Sequence, residues 1–227
     1  YTIDLCGFQF ELSSVPTTFV AGSRSNTQSI IDLTGQNTLT ANSLTYYSNN
    51  TFSFNGTNGY VDCGNSSVIN FGNGNFTVGA WFYRDVNATT NLRLLAKGAS
   101  GDTAGEAGFA LYGGDTYLAF IVNPSGVRPT ATSITISTGT PTYVTATVER
   151  GGLINLYKNG SFVISANTPI GSFTGTSNLC IGCNTTSAGG RSLYWAGGVY
   201  NTHIYNKALT SDQVLQNFNA LRGRYGL

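Results

Sequence analysis

The stretch Phe76-Thr-Val-Gly-Ala-Trp-Phe-Tyr83 places Phe76, Val78, Ala80 and Phe82 on one face of an extended chain, because successive side chains of a strand point to opposite sides. It reads as a half-buried β-strand. Outward from it, β-branched and aromatic runs broken by Gly, Asn and Asp recur at short intervals. Toward the carboxyl end they fall at residues 93–96, 108–112, 117–122, 134–137, 143–149, 178–182 and 197–205, and toward the amino end at 60–63, 51–54 and 8–12. Residues 153–157 and 162–165 flank Lys158-Asn-Gly-Ser161, and Asn-Gly supplies the positive φ angles of a tight type I′ hairpin turn. About a dozen short strands with turn signals between them predict an all-β sandwich or jelly roll. One helix closes the chain: Thr210 or Ser211 caps it, Asp212 lies in its first turn, and Val214, Leu215, Phe218 and Leu221 share a stripe that is expected to pack on the sandwich edge.

Several stretches carry a resemblance. Phe52-Ser-Phe-Asn-Gly-Thr-Asn-Gly-Tyr-Val-Asp-Cys-Gly64 is followed by Asn75-Phe-Thr-Val-Gly-Ala-Trp-Phe82, Leu153-Ile-Asn-Leu-Tyr-Lys-Asn-Gly160, Leu179-Cys-Ile-Gly182 and Ile204-Tyr-Asn-Lys-Ala-Leu-Thr-Ser-Asp-Gln-Val214, with an Asp32-Leu-Thr-Gly35 turn ahead of them. In order and spacing they resemble the laminin-G-like, concanavalin A-like lectin family. The resemblance implies a jelly-roll β-sandwich of two antiparallel sheets with one short C-terminal helix, occupying residues 8–227, with residues 1–7 standing ahead of it as an N-terminal strand or arm. It also implies a packing role for Trp81. The closing run Gln216–Tyr225 is similar to modules of bacteriophage structural proteins and bacterial surface proteins. Where such modules often carry paired acids, Val199-Tyr-Asn-Thr-His-Ile-Tyr205 has Tyr200 and Asn201.

Composition narrows the partners. The chain has 227 residues, of which 9% are charged, against about 25% in an ordinary globular protein, so Asn, Thr, Ser and Gly must make its surface soluble. Eleven basic and ten acidic side chains are scattered without a cluster that could follow a phosphate backbone, which argues against nucleic acid. No run of apolar residues is long enough to insert in a membrane. The chain begins at Tyr1 and lacks Met, as expected of a processed mature form or a fragment.

Cys6, Cys63, Cys180 and Cys183 read as disulfide partners in an oxidising compartment. A redox or zinc pair at Cys180-Ile-Gly-Cys183 is the weaker alternative, since His203 is the only histidine and zinc needs two further ligands. Buried reduced thiols are the other. If 178–182 is a strand that continues to Cys183, residues three apart rise by about 10 Å and point to opposite faces, whereas a disulfide needs Cα atoms within roughly 7 Å. Cys180 and Cys183 are therefore expected not to join each other, and Cys6 and Cys63 to pair with them if all four are bonded.

The residues point to binding or building rather than catalysis. Glycosidases of this fold place two carboxylates across one sugar bond, and the three glutamates, Glu11, Glu106 and Glu149, have no acid two or five positions on. A serine triad would have to use His203, and no Gly-x-Ser-x-Gly turn accompanies it; a satisfied or exposed strand histidine is expected. Calcium is the one candidate cofactor, with Asp102 and Asp115 as loop ligands for a hard cation. Tyr112, Tyr117, Tyr194 and Trp195 are the candidates for stacking on sugar faces. Asn49, Asn55, Asn65, Asn75, Asn87, Asn159 and Asn184 stand in glycosylation sequons. The functional expectation is a non-catalytic structural subunit of an extracellular, cell-surface or virion-surface assembly, a fibre, filament or decoration, whose partners are copies of itself or other surface proteins. An autonomous carbohydrate-binding adhesion module is the alternative. Tyr1, Ile3 and Leu5 share a face, so residues 1–7 could add to a sheet edge of their own domain or of a neighbour.

Overall fold

The computed structural model describes residue 32 and residues 37–47, 51–85, 91–98, 107–114, 116–124 and 130–227. In chain order the strands are β1 (Thr40–Asn42), β2 (Thr45–Tyr47), β3 (Thr51–Asn55), β4 (Tyr60–Asp62), β5 (Phe76–Arg84), β6 (Leu92–Lys97), β7 (Gly108–Gly113), β8 (Tyr117–Asn123), β9 (Thr130–Thr135), β10 (Thr142–Val148), β11 (Leu153–Lys158), β12 (Ser161–Asn167), β13 (Leu179–Ile181), β14 (Asn184–Thr185), β15 (Arg191–Ser192) and β16 (Ala196–Tyr205). They form two seven-stranded antiparallel sheets, β1-β4-β13-β6-β7-β8-β9 and β12-β11-β10-β5-β16-β3-β2, with β14 and β15 as a small separate hairpin. This is the expected jelly-roll sandwich. The strand expected at 8–12 and the arm at 1–7 lie outside the described residues.

Alternation builds the core. Phe76, Val78, Ala80 and Phe82 face inward with Val144, Ala146 and Val148 of β10 and Phe109, Leu111, Leu118 and Phe120 of the opposite sheet. Each large side chain removed from water in this way contributes about 1.5–3 kcal/mol. Trp81 points to the other face of the second sheet and is nonetheless fully buried, because helix α1 (Ser211–Leu221) and the 3₁₀ turn after it lie over it. Phe218 stacks on Trp81 at 5.5 Å, and Tyr143 and Tyr225 approach it at 5.1 and 4.6 Å. A capping box starts the helix: the Thr210 hydroxyl accepts from Gln213 N at 3.3 Å and the Gln213 side chain accepts from Thr210 N at 3.2 Å, satisfying two otherwise orphaned donors. Val214 and Phe218 are buried, whereas Leu215, expected on the same stripe, is 43% exposed at its margin.

A bulge in β16 between Val199 and Asn201 shifts the alternation, so that Val199 stays in the core while Asn201, His203 and Tyr205 share the outer face. The Asn-Gly turn forms as expected, with φ of 50° at Asn159 and 79° at Gly160.

The cysteine expectation is overturned. Cys180 and Cys183 are joined by a disulfide, with Cα atoms 5.8 Å apart. The strand ends at Ile181, and Gly182 takes φ of 82°, a left-handed turn that folds Cys183 back toward Cys180 instead of extending away from it. Cys63 is a free buried thiol, pushed up to about 12 by burial first and then by Asp62 and Asp32; it is neither a disulfide partner nor a reactive group. Cys6 lies outside the described residues.

Candidate functional site

One end of the first sheet gathers the polar and aromatic side chains. Antiparallel register sets the start of β4, the end of β13, the start of β6, the end of β7 and the start of β8 side by side. Arg93 is paired with Tyr112 across β6 and β7, and its guanidinium lies 4.7 Å over the Tyr112 ring, a cation–π contact. Arg93 Nη1 donates to the Asn91 carbonyl at 2.7 Å. Tyr117 stands perpendicular to Tyr112 at 6.4 Å, and its hydroxyl donates to Asn91 Oδ1 at 2.9 Å. The turn between them needs Gly114, since an added Cβ would lie 2.4 Å from the Tyr117 ring. From the core, Arg84 Nη1 donates to the Gly113 carbonyl at 3.3 Å and steadies this turn.

A second aromatic group adjoins the first. Tyr194 forms a parallel bridge with Arg93, and the Arg93 amide donates to the Leu193 carbonyl at 2.9 Å. Tyr60 and Tyr194 lie 6.4 Å apart, with the Arg191 guanidinium 4.5 Å over Tyr60. Arg191 is ion-paired with Asp62, which also accepts from Asn178 Nδ2 at 3.0 Å and Gly64 N at 2.9 Å. Asp62 is thus a structural clamp. Tyr60, Tyr112, Tyr117 and Tyr194 are all part-exposed.

Three of the four aromatic residues singled out in the sequence therefore meet at one end of one sheet. Trp195 does not. It is fully buried, edge-on to Phe82 at 5.6 Å with Arg84 5.1 Å over its ring, so it is a core residue and is corrected here as a sugar platform. Asn91, Arg93, Arg191 and Tyr60 were not singled out; the available signal was an arginine inside the apolar run Leu92-Arg-Leu-Leu95.

The outer face of the second sheet holds a different arrangement. His203 shares a hydrogen bond with the Tyr143 hydroxyl at 3.1 Å and its ring stacks on Tyr143. Burial lowers its basicity to a pKa of about 4 and raises the Tyr143 phenol to about 12. Both are neutral near pH 7, and His203 is the satisfied strand histidine expected. Beside it a cavity of about 810 Å³ runs along β16, lined by apolar Leu39, Ile69, Leu95 and Ile181 and by polar Asn201, Tyr205 and Asn217.

Asp102 and Asp115, the calcium candidates, lie outside the described residues, as do Glu11, Glu106 and the sequons at Asn49 and Asn87. Among the described residues no group of three or more His, Cys, Asp or Glu side chains could hold a metal ion. The remaining sequons sort by exposure. Asn184 is buried in β14 and is corrected as a glycosylation candidate. Asn65 uses its amide on the Gly175 and Thr176 carbonyls at 3.2 and 3.1 Å and accepts from buried Lys97 at 2.5 Å. Asn159 is engaged with Tyr143 N at 2.9 Å; Asn55, Asn65 and Asn75 are exposed, with Asn55 Oδ1 accepting from Gly59 N at 3.0 Å and Asn75 Oδ1 from Arg150 N at 2.8 Å.

Among curated proteins none is similar in sequence. Solved structures share the fold: the binding domain of Paraclostridial mosquitocidal protein 1 (TM-score 0.61, 18% identity, 83% of this chain and 49% of that one) and the botulinum neurotoxin serotype G binding domain (0.65, 13%, 84% and 48%). A third is a botulinum neurotoxin type C structure, described by the dependence of that toxin's cell entry on two ganglioside molecules (0.63, 14%, 82% and 47%). The chain spans about half the length of these structures. Residues 55–215 match the family described as the concanavalin A-like lectin/glucanases superfamily. With its two antiparallel sheets, short closing helix and this match over most of its length, the chain belongs to that superfamily.

Proposed function

We propose that this chain is a non-catalytic carbohydrate-binding module of an extracellular or surface protein, and that it holds a sugar at the tyrosine–arginine end of the first sheet. The observation that carries the reading is the perpendicular Tyr112–Tyr117 pair tied to Arg93 and Asn91. A pyranose has an apolar C–H face that packs on an aromatic ring, and hydroxyls that need fixed partners at its edge. Tyr117, Tyr194 and Asn91 supply both kinds of contact from strand ends, which hold them more firmly than free loops would. The ganglioside dependence of one structural neighbour supports a glycan as the ligand class. The disulfide supports an oxidising compartment. Calcium held by Asp102 and Asp115 belongs to this proposal, and affinity that drops on chelation would support it.

The test is a glycan array followed by titration of the best hit. Tyr112→Ala and Tyr117→Ala each weaken binding by about tenfold or more, since one stacked aromatic contact is worth about 1.4 kcal/mol or more in a desolvated site, and leave the far-ultraviolet circular dichroism unchanged. Undiminished affinity in both variants overturns the site.

A second reading, a structural subunit of an extracellular or virion-surface assembly, is favoured by β12. This edge strand carries no charge, and its Phe162, Val163 and Ile164 are 56%, 46% and 41% exposed. Such an edge is a template for pairing with another chain, blunted here by one bulge. Head-to-tail addition without closure would build a filament. Electron microscopy of the purified chain tests it: regular polymers that vanish when residues 1–7 are deleted support an assembling arm, and dispersed monomers throughout overturn it.

A further inference from the structure

We propose that Lys97 and Asn65 form an intramolecular isopeptide bond, a covalent cross-link between the end of β6 and the loop after β4. Lys97 is fully buried at the last position of β6, at the opposite end of that strand from Arg93, so this site stands apart from the sugar site and either can fail alone. Its Nζ donates to Asn65 Oδ1 at 2.5 Å, to the Ser177 carbonyl at 2.7 Å and to the Gly175 carbonyl at 3.3 Å. Among the described residues its acceptors are thus neutral oxygens, and a buried ammonium without a counter-charge is costly. Burial accordingly lowers the lysine to a pKa of about 8, which brings the free amine, the nucleophilic form, within reach near neutral pH.

The amide is presented to that amine. Nζ at 2.5 Å from Oδ1 and a carbonyl bond of about 1.2 Å keep Asn65 Cγ within about 3.7 Å of the nitrogen, near the ~3–3.5 Å of an attack geometry. Asn65 Nδ2 donates to the Gly175 and Thr176 carbonyls at 3.2 and 3.1 Å, which fixes which way the amide points. Asn70 Nδ2 donates to Asn65 Oδ1 at 2.9 Å, where it stabilises the negative charge that this oxygen gains during attack. Asn70 Oδ1 in turn accepts from Gly175 N at 3.2 Å, and Gly175 sits tightly against Ala107, where an added Cβ would lie 2.3 Å from the carbonyl oxygen. In the reaction the Lys97 ammonium gives one proton to solvent and the Nζ lone pair forms a bond to Cγ. The Cγ–Nδ2 bond breaks, and a second Nζ proton passes to Nδ2, which leaves as ammonia. The product is a neutral secondary amide that can still donate to the Ser177 carbonyl, and the buried charge is gone.

Mass spectrometry of the purified, reduced full chain tests the bond. The wild type is expected to be lighter by one ammonia than its sequence requires, and to release on proteolysis a branched peptide that joins Lys97 to Asn65. Lys97→Arg and Asn65→Ala each restore the full mass and remove the branched peptide; the wild-type digest decides even where a variant does not fold. Separate linear peptides carrying unmodified Asn65 and Lys97 in the wild type overturn the proposal. So does a loss of ammonia that persists in Asn65→Ala, as a cyclising Asn-Gly turn elsewhere in the chain would give.

Discussion

Two aromatic clusters of similar composition meet opposite fates. The cluster on the outer face of the second sheet has Trp81, Tyr143 and Phe218 buried under α1, with Tyr225 and His203 half-buried at its margin. The cluster at the end of the first sheet, Tyr112, Tyr117, Tyr60 and Tyr194 around Arg93 and Arg191, keeps part of every tyrosine exposed. Residue type does not separate a covered cluster from a part-exposed one. The covering element does: a capped helix lies over the first cluster, whereas the second, proposed above to bind, has no helix over it among the described residues.

The sharpest way to break this contrast is truncation at its two centres. Trp81→Ala removes the residue on which three rings pack and is expected to cost about 3–5 kcal/mol, read by urea unfolding, while Tyr117→Ala at the rim costs under about 1 kcal/mol. Equal losses would show that the rim cluster is as structural as the covered one. Acid provides the next largest effect. His203 has a pKa of about 4 in the folded chain against 6.5 for the free side chain, so between those values the unfolded chain binds more protons and stability falls as pH is lowered. His203→Gln should flatten that limb of a melting-temperature profile relative to wild type, and an unchanged slope would place the loss elsewhere.

A smaller effect probes the rim. The Cys180–Cys183 link holds the turn at Gly182, whose carbonyl accepts from Trp195 N at 2.9 Å, next to Tyr194. Replacing both cysteines by serine is expected to cost roughly 2 kcal/mol, because the closed loop is short, and to loosen sugar binding before it unfolds the sandwich. Non-reducing peptide mapping should recover the 180–183 link. The smallest effect is at the helix start: Thr210→Ala removes one cap bond at a cost of about 1 kcal/mol, with the melting temperature falling and affinity unmoved.

Most of the sandwich was legible in the chain because period-two patterning and Asn-Gly turn chemistry are local. Phe76, Val78, Ala80 and Phe82 were read correctly onto the core face, although their strand is buried on both faces and not on one, and the β11–β12 hairpin forms about its Asn-Gly turn with slightly longer strands than expected. The cysteine misreading comes from an interruption of a regular strand. Cys180 and Cys183 looked too far apart because the strand was extended through Gly182, where a left-handed backbone reverses it. Trp195 was a candidate sugar platform together with Tyr194, but its ring turns into the core against Phe82 and Arg84. Two-residue strands such as β14 and β15 carry too few side chains to show a period at all.

By itself the sequence determined the fold class, the helix and its cap, and a residue inventory with little catalytic chemistry in it, since these depend on periodicity and residue type. Only the tertiary structure decided which aromatics are covered and which cysteines meet. Those outcomes depend on what packs against each face from distant parts of the chain, as when Phe218 covers Trp81 and Tyr194 comes to lie beside Arg93. No local pattern encodes such pairings.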